Sequence, residues 1–128
     1  MQLPLEYKYS KEHTWLKLLE EGEALVGITD FAQSELGEIV YVDLPSIGKR
    51  FKKDEIFGSI EAVKTTSDLY MPAAGEIIQI NLALKDQADL VNSASFSEGW
   101  LVKIKLIDST EPEPLLDSHS YERLTGRL

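Results

Sequence analysis

The sequence predicts a mainly β fold, a flattened hybrid of barrel and sandwich built from two small antiparallel sheets. Three observations support this prediction. Short apolar stretches, rich in β-branched and aromatic residues, alternate with turn residues along most of the chain. Residues 36–40 and 74–78 are similar in sequence, as expected for two related β halves folded face to face. The stretches on either side of Lys64 form the arms of a predicted hairpin.

Two strands and a helix are predicted for the first part of the chain. Residues 14–19 and 23–28 are strands joined by a hairpin turn at 20–22. Residues 29–37 form a short helix, because Asp30 can cap it with Gln33 three residues later and Gly37 can end it.

Strands and turns are predicted for most of the remaining chain. Further strands are expected at 38–43, 55–62, 67–71, 76–80 and 100–106, with a turn at 45–48. Residues 81–97 are polar and irregular, apart from one helical turn near 82–84. In the tail, residues 115–124 are predicted to be helical and to pack on the outside of the β core.

Length, composition and charge restrict the classes of protein to consider. The chain has 128 residues, of which 43% are hydrophobic, which fits a single domain over 1–128, with a β core at about 7–107 and a helical tail at about 110–128. The net charge of −9 argues against nucleic-acid binding, which needs a basic surface, and fits attraction to basic patches on partner proteins. There is no cysteine, hence no thiolate for catalysis or metal binding. We recognise neither a signal sequence nor a membrane segment, so the cytoplasm is the expected location.

Lys64 has the most informative surroundings in the chain. It lies between two predicted strands and is followed by small polar residues, so we expect an exposed amine at a hairpin tip. Acylation converts such an amine into a neutral amide, which is how group carriers hold lipoic acid or biotin. A biotin-accepting lysine typically lies between two methionines, whereas Val63 and Thr65 flank Lys64, which favours a lipoyl group. The alternative is an unmodified surface lysine.

The chain resembles the glycine cleavage system H protein family over nearly its whole length. Residues 27–33 (GITDFAQ) and 36–45 (LGEIVYVDLP) resemble that family's most recognisable block. Residues 61–64 (EAVK) resemble its lipoylation motif, in which serine is usual where Ala62 stands. Further matches are Tyr9, His13, Trp15, Ser67, Asp68, Pro72, Gly75, Glu76, Asn81, Leu90, Val91, Asn92, Gly99, Trp100, Lys103, Ile104, Lys105, Leu115, Leu116, Asp117 and Tyr121.

This resemblance implies a carrier protein of glycine catabolism and one-carbon metabolism, with a lipoyl-domain-like fold and lipoic acid attached covalently to Lys64. The carrier would take an aminomethyl group from a pyridoxal-phosphate glycine decarboxylase and deliver it to an aminomethyltransferase that uses tetrahydrofolate. It would pass electrons to a flavin-dependent dihydrolipoamide dehydrogenase. Lipoate-attaching enzymes are further implied partners. The chain itself would be a monomer without catalytic activity.

The resemblance also implies roles for individual residues. Glu61, Gly48 and Gly75 match positions tied to recognition by lipoate-attaching enzymes, although each also fits an ordinary surface or turn residue. A cleft for the loaded arm is expected between the hairpin and residues 12–15, lined by Glu12, His13, Thr14 and Asp68. Thr14 stands where the family usually has Glu, and its hydroxyl offers no charge to an ammonium group, so Glu12 is the candidate substitute.

Two other functions stay open. Thr14 in place of Glu favours a relay protein of the same fold that serves lipoate transfer or another pathway. The other is a binding module whose lysine is never modified. In all three cases we predict no metal site and no catalytic residue in this chain.

Overall fold

The structure, a computed structural model, describes residues 7–107 and 116–125. Within these ranges the chain forms nine strands and three α-helices. The strands are β1 (Lys8–Tyr9), β2 (Thr14–Leu18), β3 (Glu23–Ile28), β4 (Ile39–Asp43), β5 (Arg50–Phe51), β6 (Ile56–Ala62), β7 (Thr66–Tyr70), β8 (Gly75–Ile80) and β9 (Val102–Leu106). The helices are α1 (Asp30–Leu36), α2 (Leu90–Ser93) and α3 (Ser118–Leu124), with 3₁₀ turns at Glu20–Gly22 and Leu82–Lys85.

The strands form two antiparallel sheets. One has six strands in the order β1-β2-β3-β9-β8-β5, and the other has three in the order β4-β6-β7. The predicted mainly β fold of two antiparallel sheets is confirmed. The single-domain organisation over 1–128 stays a prediction, since the described ranges leave out parts of the chain.

One apolar core lies between the inner faces of the two sheets. It receives Leu16, Val26 and Ile104 from the six-stranded sheet, and Ile60 and Leu69 from the three-stranded sheet. Burying one such aliphatic side chain contributes roughly 1.5–3 kcal/mol. Because Ile60 lies on β6 and Leu69 on β7, the core fixes the two arms of the hairpin that carries Lys64.

An aromatic cluster covers the other face of the six-stranded sheet. Tyr9 and Trp15 are opposite each other on β1 and β2, and Tyr121 of α3 stacks on Tyr9 with ring centroids 5.0 Å apart. Trp15 and the core residue Leu16 are neighbours in one strand and so face opposite ways. The described part of the tail therefore packs outside the β core, as predicted, whereas 110–115 and 126–128 lie outside the described residues.

The N-terminal cap of α1 differs from the prediction. Asp30 as the cap is wrong, because Thr29 is the capping residue and its Oγ1 accepts from the Ala32 N–H at 3.2 Å. Thr29 has the extended backbone that a cap requires, whereas Asp30 is already helical and accepts from Gln33 Nε2 at 2.9 Å. Gly37 ends the helix, as predicted.

The shortest elements are not predictable from the sequence. The two-residue strands β1 and β5 and the helix α2 lie where no periodic pattern is long enough to predict them. In β4 the predicted alternation breaks at a bulge between Ile39 and Tyr41, so that Val40 and Tyr41 are both exposed.

Asn92 of α2 connects the end of α1 with the start of β4. Its Oδ1 accepts from the Ile39 N–H at 2.9 Å, and its Nδ2 donates to Gly37 O at 2.8 Å and to Gln33 Oε1 at 2.8 Å. Ile39 pairs with Ala62, the last residue before the hairpin turn. One side chain thus positions α1 beside the end of the hairpin that carries Lys64.

Candidate functional site

Lys64 lies in the turn between β6 and β7, at residues 63–65. Two backbone hydrogen bonds hold this turn: the Ala62 N–H donates to Thr65 O at 2.8 Å, and the Val63 N–H donates to Glu38 O at 3.0 Å. The Lys64 side chain is exposed, and none of the ion pairs among the described residues involves it. The backbone is therefore fixed while the amine is accessible to another protein.

A cleft of about 250 Å³ opens between the loop before β2, the helix α1 and the edge strand β7. The structure brings together the four residues that the sequence suggested for an arm cleft, since Glu12, His13, Thr14 and Asp68 all line it. The other lining residues are Ile28, Phe31, Ala32, Glu35, Leu36, Ile60, Ser67 and Leu69. We call this space the acidic cleft.

The acidic cleft has a charged rim and an apolar floor. Glu12, Glu35 and Asp68 are exposed and come from three different elements, namely the loop before β2, α1 and β7. Ile60 and Leu69 are buried and belong to the core. A ligand with an apolar body and a cationic end matches this distribution of polarity and charge.

His13 is held in the wall of the acidic cleft by the C-terminal helix. Its Nδ1 lies 2.7 Å from Tyr121 Oη, and that hydroxyl lies 2.6 Å from Oγ1 of Thr29, the cap of α1. Burial lowers the pKa of His13 from 6.5, with Glu12 and Glu35 acting in the opposite direction. The imidazole is therefore neutral at neutral pH, and it does not cancel the negative charge of the cleft.

Thr14 is buried, and its hydroxyl is already bonded. Its Oγ1 lies 2.6 Å from Ser10 Oγ, which also accepts from the Thr14 N–H at 3.1 Å. The position thus contributes a neutral hydroxyl to the cleft. Glu12, two residues earlier in the same loop, is exposed and lines the same cleft.

A second hollow lies beside Lys64 and next to the acidic cleft. It measures about 360 Å³ and is lined by Ser34, Glu35, Leu36, Gly37, Glu38, Val63 and Lys64. Glu35 and Leu36 line both spaces, so the second hollow adjoins the acidic cleft at the last turn of α1. We call this second hollow the trough.

The two glycines suggested as recognition residues are associated with β8 of the six-stranded sheet, whereas Lys64 belongs to the three-stranded sheet. Gly48 has φ +98° and donates its N–H to Ile77 O at 2.7 Å, a backbone conformation that favours glycine. Gly75 is buried in β8, where a Cβ would approach Ile104 Cδ1 to 2.9 Å. Both positions thus have a local structural reason to be glycine, and their part in enzyme recognition stays a prediction. Glu61, by contrast, is exposed beside the hairpin turn, opposite Thr66 and Tyr41.

Three contributors to the site were missed from the sequence. Glu35 adds a carboxylate to the cleft, and the hydroxyls of Tyr121 and Thr29 hold His13. A signal for Glu35 was present, because the helical spacing of Phe31 and Glu35 places them on one face of α1. The two hydroxyls are 92 residues apart, and no local pattern in the sequence relates them.

Within 7–107 and 116–125, no group of three or more His, Asp or Glu side chains is arranged to hold a metal ion. No helix in those ranges has the length and apolar character needed to cross a membrane.

Comparison with known proteins gives the same result from sequence and from structure. The family described as Glycine cleavage H-protein matches residues 7–127. A glycine cleavage system H protein of Chlorobium phaeobacteroides is 54% identical, covering 98% of this chain and 99% of its own, and one of Bacillus cereus is 45% identical, covering 99% of each. A crystal structure of a glycine cleavage system H protein from Mycobacterium marinum superposes with a TM-score of 0.88 at 31% identity, covering 97% of this chain and 99% of that one.

Fold and site together define a small two-sheet β protein that presents a lysine at a hairpin tip beside a cleft, as a group carrier does. The chain belongs to the glycine cleavage H-protein family. The resemblance seen in the sequence is confirmed, and membership of the family supports a lipoyl-carrier role in the glycine cleavage system.

Proposed function

We propose that this chain carries lipoic acid on Lys64 and shuttles the aminomethyl group of glycine between the enzymes of the glycine cleavage system. The observation that carries this proposal is the trough, which adjoins both the exposed Lys64 and a cleft with an acidic rim. The lipoyl group would supply a cyclic disulfide that takes up the aminomethyl group and a pair of electrons. The chain's own residues attach, position and shield it.

Lys64 serves as the attachment point. Its amine is exposed at the tip, and the buried side chains of Ile60 and Leu69 hold the arms of the hairpin. A flexible arm on a fixed base keeps its end at high effective concentration around the protein, which favours transfer at each docked partner. The elements beside the tip offer the trough for the arm when no partner is bound.

The acidic cleft serves as the resting place for the cargo. An aminomethyl group carries an ammonium, which the carboxylates of Glu12, Glu35 and Asp68 can hold through charge-assisted hydrogen bonds. The apolar floor accepts the hydrocarbon part of the arm and excludes water from it. Neutral His13 adds a polar wall without repelling the ammonium.

The partners follow from this function. They are a glycine decarboxylase, an aminomethyltransferase, a dihydrolipoamide dehydrogenase and the lipoate-attaching enzymes. The chemistry belongs to these enzymes, and the chain acts as a non-catalytic carrier. A monomeric state and a cytoplasmic location, expected from the sequence, complete the proposal.

The relay alternative loses its main support. It depended on the missing carboxylate at position 14, but the same cleft contains the carboxylates of Glu12, Glu35 and Asp68. The site therefore keeps the charge that an aminomethyl cargo needs.

Exchange of isotope between glycine and bicarbonate tests the proposal. Lipoylated protein is mixed with a glycine decarboxylase and glycine labelled in its carboxyl group, and the label that enters bicarbonate is measured. We expect exchange with the wild-type chain and none with Lys64→Arg. A lipoylated chain that supports no exchange with an active decarboxylase would instead indicate the relay function.

A further inference from the structure

The surface beside the Lys64 turn carries exposed apolar side chains. Val40, Tyr41 and Val63 are 51%, 53% and 65% exposed, although valine and tyrosine usually contribute to cores or interfaces. The bulge in β4 exposes both Val40 and Tyr41. Together with the carboxylates of Glu38 and Glu61 we call these side chains the tip patch.

The tip patch adjoins Lys64 directly. Tyr41 is opposite Glu61, which precedes Lys64 by three residues, a separation of at most about 10 Å because Lys64 lies in the turn. Val63 is the neighbour of Lys64, and its N–H is bonded to Glu38 O. A typical interface buries roughly 800 Å² per partner, which corresponds to a disc of about 16 Å radius. A protein centred on Lys64 therefore covers Tyr41.

The charge around the tip patch indicates the kind of partner. Residues 35–43 and 59–68 contain the carboxylates of Glu35, Glu38, Asp43, Glu61 and Asp68, against a single cation, Lys64. None of the ion pairs among the described residues involves these carboxylates. The field at the tip is therefore negative and attracts a basic partner surface. A second copy of the chain is disfavoured, since the same carboxylates would face one another.

We propose that the tip patch is the docking surface for the lipoate-attaching enzyme, with Tyr41 entering an apolar pocket rimmed by basic residues. This inference rests on the proposed lipoylation of Lys64. An enzyme that forms an amide on Nζ must approach the lysine nitrogen itself. The enzymes of the later steps meet the far end of a much longer arm, so they need not contact the residues around Tyr41.

Steady-state kinetics of lipoyl transfer tests the docking surface. Tyr41→Thr removes the ring and keeps a residue suited to a strand. Ile56→Thr is the matched control, because Ile56 is 51% exposed and pairs with Tyr70 at the opposite end of the same hairpin. For Tyr41→Thr we expect kcat/KM to fall about tenfold because KM rises. For Ile56→Thr we expect kcat/KM to stay within about twofold of wild type. Circular dichroism checks that both variants remain folded.

The contribution of charge is tested with Glu38→Gln. We expect a higher KM at low ionic strength, and the difference from wild type should disappear at about 1 M salt, where the screening length is about 3 Å. Equal kinetics for Tyr41→Thr and Ile56→Thr would overturn the docking surface while leaving the carrier function intact. A wild-type dimer that Tyr41→Thr dissociates would assign the patch to a second copy and also overturn it. A wild-type chain that is never lipoylated would refute the carrier function itself.

Discussion

His13 is the residue at which the acidic cleft and the C-terminal helix meet. Its backbone has φ +67°, and its ring lies between Phe31 and Tyr121, with centroids 4.9 and 5.6 Å away. Burial lowers its pKa below 6.5 even though Glu12 and Glu35 are near. His13 therefore binds a proton more readily in the unfolded chain than in the folded chain.

The first prediction concerns the titration of His13. We expect NMR of its imidazole to give a midpoint below 6.5. The contribution of His13 to the free energy of unfolding is therefore complete above pH 6.5, the pKa in the unfolded chain, and is lost as the pH falls through the lower pKa of the folded chain. A midpoint at or above 6.5 would show that the carboxylates outweigh burial.

The second prediction concerns the hydroxyl of Tyr121. Tyr121→Phe keeps the stack on Tyr9 but removes the hydrogen bonds to His13 and Thr29. We expect the free energy of unfolding to fall by about 1–3 kcal/mol, measured by chemical denaturation. Tyr41→Phe is the control at an exposed site, with an expected change within about 0.5 kcal/mol. Equal losses in the two variants would contradict a structural role for the Tyr121 hydroxyl.

The third prediction concerns the charge of Glu12. Glu12→Gln should weaken binding of the cargo's ammonium group in the acidic cleft, since hydrogen bonds to charged groups contribute about 1.5–3 kcal/mol. We expect loaded protein to release ammonia about tenfold faster. Glu20→Gln, in the exposed 3₁₀ turn at the other end of β2, should release it at the wild-type rate. If both variants match wild type, Glu12 does not replace the missing carboxylate at position 14.

The residues of the site were partly predictable from the sequence. Lys64, Glu12, His13 and Asp68 were found because each lies in or beside a motif that can be recognised in the chain. Tyr121 lies 108 residues from His13, and only the packing of α3 reveals their contact. Thr29 cannot be told from the sequence to be the cap, because Asp30 and Gln33 offer an equally good capping pattern one residue later.

At the scale of elements, α1 and α2 determine the shape of the trough. The last turn of α1 forms one wall through Glu35 and Leu36, and Asn92 of α2 fixes that turn against β4. Helix α2 is not predictable from the sequence, because four residues give no helical period and its packing depends on partners more than fifty residues earlier.

The fourth prediction tests this connection. Asn92→Ala leaves the Ile39 N–H and the Gly37 carbonyl without their partner, which should cost about 2–3 kcal/mol of unfolding free energy. We also expect faster hydrogen exchange at the Val63 amide, whose acceptor Glu38 O lies between Gly37 and Ile39. Ser93→Ala, the exposed neighbour in α2, should change neither quantity appreciably. Unchanged hydrogen exchange at the Val63 amide would show that Asn92 does not stabilise the hairpin tip.

At the scale of the whole molecule, the two sheets have different tasks. The three-stranded sheet presents Lys64 and the edge strand β7. Both sheets contribute to the core, and the six-stranded sheet also carries the aromatic cluster with α3. Alternating apolar residues made the longer strands predictable, whereas the order of strands within each sheet depends on contacts between distant parts of the chain. Gly48 and Gly75 belong to the six-stranded side, where backbone conformation and packing account for them.

Intact-mass spectrometry tests the central claim most directly. The chain is incubated with a lipoate-attaching enzyme and its lipoyl donor, beside Lys64→Arg and the exposed-lysine control Lys85→Arg. Since Lys64 is the proposed attachment point, we expect the mass of a single lipoyl group on wild type and on Lys85→Arg, and none on Lys64→Arg. An unmodified wild type, or a lipoyl group that persists in Lys64→Arg, would contradict the account.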